Sequence, residues 1–421
     1  MTNQDRRHRS WDPYANALTE KAKAICEEAL QDQFDERRRR SANALRKTNR
    51  EKSTVEALIC DVVAHTLADA HALDLSIALS NEALTGKKAP AINRGVPDRL
   101  KDLQATGWLK VELGKNYGEA KRSTLKAGDK LLLRMKELGV TIDDVGRHSS
   151  HAEDLVELRG AKRESDGSRE ILKVPDTSET QRLKEQVRRL NECFAAARID
   201  QVSTEHPSID THRRSVRRYF LDGSLVCGGR LTGPAFWLSV EKVRRRSGLL
   251  LDGEPIAELD LKSAMPSIAY AHEGLVIPHD PYVPLEFSYV PRDELKIAMM
   301  KFLWDVPKKG ARLPNSVSHH VKGPDKHRRV YEAMCRHNEP IAKYLLAEEP
   351  QGARFMFDES EIIINATERC YEAGITALPL HDALIVPVSK ADAGMSIFEG
   401  AFKDRLGVLP VITQDWPEVD R

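Results

Sequence analysis

What this 421-residue chain lacks narrows its class before any motif is read. It has no uncharged apolar run near the length of about 20 residues that a membrane-spanning helix needs, so no bilayer span is expected. Its opening residues, MTNQDRRHRSWDPY, hold no apolar core stretch of the kind a secretory signal uses, and a cytoplasmic location is the expectation. The six cysteines (Cys26, Cys60, Cys193, Cys227, Cys335 and Cys370) stand singly. Without Cys-x-x-Cys or Cys/His spacing, they indicate neither a zinc site nor a disulfide-stapled scaffold. A net charge of one sign is missing too: 65 Lys and Arg face 64 Asp and Glu. No global field results, so affinity for nucleic acid has to come from local patches.

What is present is a polar chain, 31% charged and 41% hydrophobic, long enough for two or three domains and a sizeable core. Residues 1–52 are helix-prone and charge-dense, ending in FDERRRRSANALRKTNREK. They read as a charged helical arm, solvated or disordered, with Arg37 to Arg40 available to phosphates. Residues 53–142 run helix, helix, helix, hairpin, helix. VEALICDVVAHTLADA, LSNEALTG and NRGVPDRLKDLQATG supply the first three helices, and WLKVELG and AKRSTLKAG flank the turn KNYG. DKLLLRMKELG closes the series. That order resembles a winged helix-turn-helix, in which the helix before the hairpin enters the DNA major groove. The candidate reading helix carries Asn93, Arg94, Arg99 and Lys101, and the candidate wing Lys110, Lys115, Lys121 and Arg122, a basic set suited to phosphates. Packing or protein contact is the structural alternative for this region. Residues 143–215 read as a polar connector followed by a long helix, with Leu183, Val187, Leu190 and Phe194 on one face.

Residues 216–421 hold the chemistry. AELDLKSAMPSIAYA is an apolar strand with an acid, Asp260, at its end. VPRDELKIAMMKFLWDV is a helix whose Arg292 and Lys296, four apart, share a face. FDESEIIINATERCYEAG reads as a helix opened by an Asp358/Glu361 capping box and closed by Gly374. ITALPLHDALIVPV gives two short strands with His381 and Asp382 between them, where a hairpin turn would favour Gly or Asn. SKADAGMSIFEGAFKDRLG, with Ser389 as its cap, is an amphipathic helix to cover the sheet. Taken singly, these features have structural explanations: a strand-end acid, an unusual turn residue, a solvated helix face.

Their order is similar to motifs A, B and C of single-subunit right-hand polymerases, in particular family A DNA polymerases and phage-type RNA polymerases. LDLKSAMPSI resembles motif A, RDELKIAMMKFLW motif B and LPLHDAL motif C, while GGRLTGPAFW resembles the segment preceding motif A. The resemblance covers about half the chain. It implies an α+β fold, an antiparallel palm sheet with helices and helical fingers, preceded by a helical, winged-helix-bearing N-terminal half; the long helix of 143–215 becomes thumb-like and 216–421 the palm and fingers. It implies Asp260 and Asp382 as acids binding two Mg2+ ions, with Mn2+ as a substitute. Lone facing carboxylates would repel, and two cations would reconcile them. It further implies Arg292 and Lys296 at the triphosphate, Lys296 as proton donor to pyrophosphate, and Met265 and Trp304 at the incoming nucleotide. Arg230 and His381 would meet the template or primer. The partners implied are nucleoside triphosphates and a primed or single-stranded DNA template, with no membrane. Met265 replaces the family A glutamate, Met300 stands where family A has Phe, and Lys301 and Asp305 replace glycines, so the choice between ribose and deoxyribose stays open. No segment offers the clustered acids of a proofreading exonuclease. The expectation is a compact DNA polymerase or primase-polymerase of a phage or mobile element. The alternatives are a single-subunit RNA polymerase, a nuclease, and a non-enzymatic replication initiator or regulator with an inactive palm.

Overall fold

The structure is a computed structural model that describes residues 7–40, 49–68, 73–80, 84, 91–114, 123–147, 155–163, 167–201, 210–306 and 312–416. Its elements, mixed α/β with largely antiparallel sheets, gather into two units.

The first unit comprises Met1–Asp154, Gln201–Ser215 and Pro234–Val240. In chain order it holds β1 (Arg7–Ser10), β2 (Ala15–Ala17), α1 (Glu20–Arg40), α2 (Asn49–Ala68) and β3 (Leu73–Ile77). After these come α3 (Val96–Ala105), β4 (Leu109–Glu112), β5 (Ser123–Ala127), α4 (Asp129–Leu138) and β6 (Val145–Arg147). Strands order as β1-β3-β5-β4, with β5 antiparallel to both β3 and β4. Val55, Leu58, Ile59 and Val62 repeat at helical spacing on α2 and meet Leu100 and Leu103 of α3, Leu125 and Leu131 in one core. Ile25 and Ala29 of α1 enter the same core, so this helix is not the solvated arm its charge suggested. An apolar stripe of Ala22, Ile25 and Ala29 runs along it, and Arg37 is ion-paired to Glu51 and Asp102. Most of LSNEALTG and the wing residues Lys115, Lys121 and Arg122 lie outside the described residues. Buried Arg147 joins three buried acids, Asp12 at 2.9 Å, Asp61 at 2.9 Å and Asp210 at 2.7 Å, binding distant segments together.

The second unit comprises Leu155–Asp200, Val216–Gly233 and Glu241–Arg421. It starts with β7 (Val156–Lys162), β8 (Arg169–Leu172), α5 (Ser178–Ala196), β9 (Ile199–Gln201), β10 (Arg217–Leu221) and β11 (Ser224–Thr232). Next come α6 (Lys242–Gly248), β12 (Leu249–Leu251), β13 (Glu254–Leu261), α7 (Ala264–His272) and α8 (Arg292–Trp304). The remainder is α9 (Asn315–His320), α10 (Lys326–His337), α11 (Gly352–Glu372), β14 (Leu378–Leu380), β15 (Ala383–Pro387), α12 (Ala391–Leu406) and β16 (Ile412–Asp415). The expected connector therefore differs from its reading. Its strands β7 and β8 join β10 and β11 in a four-stranded sheet, and α5 packs Leu183 against Val156, Leu158 and Phe220.

The other sheet orders as β14-β15-β13-β12-β9, with β16 also paired to β13. Ala257, Leu259 and Leu261 alternate along β13 into a core shared with Ile268, Phe302, Ile363, Val386 and Phe398. Helix α8 contributes Leu295, Ala298, Met299, Phe302 and Leu303, leaving Arg292 and Lys296 exposed on the opposite side. Two cap expectations fail. Helix α11 starts at Gly352, so Asp358 is interior and binds His272 at 2.8 Å and Arg405 at 2.6 Å, while Glu361 binds Arg218 at 2.7 Å. Ser389 bonds Glu254 at 2.9 Å, and Lys390 occupies the cap position of α12. Among the described residues no helix is long and apolar enough to cross a membrane.

Candidate active site

The strand β13 is enclosed by pairing on both edges, and EPIAELDL is apolar apart from three acids, Glu254 at its start and Glu258 and Asp260 further along. Glu258 and Asp260 are two residues apart and so share one face. Across the sheet Asp260 pairs with Ala383 of β15, and the Leu261 amide donates to the Asp382 carbonyl at 3.1 Å. The hairpin from β14 to β15 thus delivers Asp382 to the end of β13 that carries Asp260. His381, at φ +55, turns the chain through the left-handed region and leaves Asp382 on the site side of that turn. Two acids 122 positions apart in sequence become neighbours through strand register (382 − 260).

Four carboxylates gather here, and two of them are neutralised. Glu258 is ion-paired to Arg245 at 2.7 Å, both buried. Glu359 of α11, 1% exposed, takes both Nε and Nη2 of Arg230 at 2.7 and 2.9 Å. Neither the Asp260 nor the Asp382 side chain has a hydrogen-bonding or ion-pairing partner among the described residues. Burial, and then the charge of Asp382, push the Asp260 carboxyl up to about 6, against the opposing charges of Lys242 and Lys296. Burial likewise pushes Glu359 up to about 7, with Asp382 and Asp260 adding repulsion and Arg230 opposing. Partial desolvation and then Arg230 hold the His381 imidazole below its ordinary pKa, so it is mainly neutral at pH 7. The centre is an excess of negative charge, and among the described residues no cation pairs directly with Asp260 or Asp382.

On α8, Arg292 and Lys296 converge on one buried aromatic ring, their charged groups 4.9 and 5.9 Å from the centroid of Tyr282. Burial raises the Tyr282 hydroxyl to about 12, keeping it protonated. Asp280 accepts from Arg292; although burial opposes ionisation, that bond and the Tyr282 backbone amide hold Asp280 below the usual carboxylate range. Lys296 acts electrostatically on Asp260, which links this cationic face to the acids. Sequence reading missed Tyr282 and Asp280. Their place just ahead of the basic helix, in HDPY, was the available signal.

Two nucleotide-site expectations land elsewhere. Met265 is 5% exposed and packs in the core from α7, so its side chain does not line an open surface. Trp304, at the far end of α8, lies against Gly352, where a Cβ would meet the indole at 2.5 Å. In the first unit Arg94 and Lys101 are exposed as a DNA-reading role requires. Arg99 is not: it is buried, with Glu51 at 3.1 Å and Asp102 at 3.8 Å, because α3 turns that side chain toward α2. Lys121 and Arg122 lie outside the described residues.

Among the described residues no three His, Cys, Asp or Glu side chains are grouped so as to hold a metal ion by themselves. Any cation at Asp260 and Asp382 would complete its shell with water and substrate oxygen.

No family model matches this chain. No curated protein matches it either. Among solved structures it is similar to the POL domain of Pol1 from M. smegmatis, in complex with DNA primer-template and dNTP, at 12% identity and a TM-score of 0.33. That similarity covers 56% of this chain and spans about half, 51%, of the other. A likeness of that size carries no functional argument.

Proposed function

We propose that this protein is a template-directed nucleotidyltransferase, a DNA polymerase or primase-polymerase that joins nucleoside triphosphates to a 3′-hydroxyl. The observation that supports it is the meeting of Asp260 and Asp382 at one end of paired strands, unpartnered and repelling, within reach of the field of Lys296. The pair fits magnesium: its donors are hard oxygens, and a divalent cation would relieve the repulsion that raises Asp260. Bound by these two aspartates, magnesium would supply Lewis-acid activation of the attacking hydroxyl and neutralise charge on the departing pyrophosphate.

The chain's own residues do the rest. Arg292 presents a planar fork and Lys296 a point charge to the triphosphate. Tyr282 beneath them fixes both cations, and Asp280 holds Arg292 in place until phosphate competes for it. The 3′-hydroxyl oxygen, its proton released to solvent water, attacks the α-phosphorus as the α–β phosphoanhydride bond breaks, and Lys296 donates a proton to the pyrophosphate released. Neutral His381 and Arg230 lie beside Asp382 for contact with the primer end or template. In the first unit the strand order β3-β5-β4, with α3 leading into the β4–β5 hairpin, supports a winged-helix DNA-binding role for Arg94 and Lys101.

The test is incorporation of labelled nucleotide into a primed template with magnesium, run in parallel with ribonucleotides and deoxyribonucleotides, with and without primer. Template-dependent extension that disappears in Asp260→Ala and Asp382→Ala is expected. DNA-dependent function that survives both changes refutes catalysis and leaves a non-enzymatic binding role; cleavage without extension points to a nuclease.

A further inference from the structure

We propose that Glu359 is a positioning residue: from its buried place on α11 it aims the guanidinium of Arg230 so that the unspent N–H edge meets a polynucleotide phosphate beside Asp382. The nature of that ligand rests on the polymerase reading. Arg218, Arg230 and Arg245 are each paired to a buried or half-buried glutamate, and they differ in what remains. The Arg218 side chain is 0% exposed and spends its donors on the Gly229 carbonyl, Gln186 and Glu361. Arg245 is 6% exposed against Glu258. Arg230 is 25% exposed and uses only Nε and Nη2 on Glu359, which leaves Nη1 without a hydrogen-bond partner among the described residues. A guanidinium carries five N–H donors, so one edge can be clamped while the other recognises an anion.

The mounting is rigid. Gly228 and Gly229, at φ +83 and +77, let β11 run close under α11, and Ser360 donates to the Gly228 carbonyl at 3.1 Å. The residues directly beside Arg230 and Glu359 are therefore bolted to each other. Glu359 has no oxygen left for another role, since both accept from Arg230.

The sign of one substitution discriminates. Near a polyanion, removing a negative charge should strengthen binding by simple electrostatics; if Glu359 instead aims Arg230, removing it weakens binding. The experiment is fluorescence anisotropy of a labelled primer–template duplex with the full-length protein across a series of KCl concentrations. Arg230→Gln is expected to weaken binding by roughly tenfold and to reduce the salt slope by about one. Glu359→Gln is expected to do the same, and the double variant to be no worse than either single one. Parent-like or tighter binding by Glu359→Gln, or additive losses in the double variant, overturns the proposal. Should Glu359→Gln melt early, Glu359→Asp replaces it, keeping the charge but shortening the reach; the same weakening is expected, and parent-like binding is again fatal. An incorporation assay alongside separates the two ideas. A parent that binds duplex without extending it refutes the polymerase reading and leaves Glu359 to the binding arms, whereas a parent that extends while Glu359→Gln binds normally refutes only the positioning role. A parent that binds no duplex overturns both.

Discussion

Replacing Asp260 by Asn should make the protein more stable while abolishing the proposed nucleotide incorporation. Burial and the charge of Asp382 hold this carboxyl at about 6 in the folded chain, against about 3.9 when unfolded. Below about pH 4 it is protonated in both states and contributes nothing. As the pH rises from about 4 to about 6, the unfolded chain ionises while the folded carboxyl still holds its proton, so stability falls across that window and the whole penalty stands at pH 7.5. A gap of about two pH units corresponds to about 3 kcal/mol. Asp260 is partly exposed, and solvent screening reduces this to about 1–2 kcal/mol. Asn keeps the shape and removes the charge, so the gain should be of that size at pH 7.5 and vanish near pH 4.

Chemical denaturation of parent and Asp260→Asn in EDTA, at pH 4, 6 and 7.5, measures it directly. Magnesium adds a second reading. A ligand that binds only the folded state stabilises by about 1.4 kcal/mol at tenfold its Kd, so the parent should rise in magnesium and the variant should not. Loss of stability in Asp260→Asn at pH 7.5, or a gain that ignores pH, would refute the claim that an uncompensated acid pair waits for cations here.

Other perturbations follow from the same contacts. Arg99→Ala should cost about 1–2 kcal/mol, because Glu51 and Asp102 lose one of their two arginines and keep Arg37; Lys101→Ala should leave the Tm unchanged and lower the salt slope of DNA binding by about one. Equal stability loss in the two would reverse their assigned roles. Lys296→Ala removes a cation that lowers the Asp260 pKa, so the acid limb of the pH–rate profile at limiting magnesium, near pH 6 in the parent, should move to higher pH. An unmoved limb would separate Lys296 from the acids. Gly352→Ala should cost about 1–3 kcal/mol through overpacking against Trp304, and Trp304→Leu in the same chain should recover part of it; a neutral Gly352→Ala would contradict that packing.

The parts of this site that were legible in sequence are those set by short-range rules. Strand alternation around Asp260, the four-residue spacing of Arg292 and Lys296, and an acid standing where a hairpin turn favours Gly or Asn are all readable within a dozen residues. Interior charge was misread wherever a partner lies far along the chain. Arg99 looked like a DNA contact because Glu51, 48 positions earlier (99 − 51), is invisible locally. Asp358 passed for a cap because the helix starts six residues sooner (358 − 352), at Gly352, and its acid answers His272 and Arg405. Glu359 is the instructive case. It stands in the stripe Phe355, Glu359, Ile363, where every fourth residue is buried, so a lone acid there had to have a buried cation. The stripe announces that need but cannot name Arg230, 129 residues away. The same reasoning, applied to Asp260 and Asp382, gives the opposite answer. Both lie half-buried at one end of paired strands, they repel, and the two nearby arginines are ion-paired to Glu258 and Glu359. A pair of strand-end acids with a purely structural role would sit in water or cap an amide. This pair is half-buried and finds no side-chain partner among the described residues, which is the condition the proposed cation site requires.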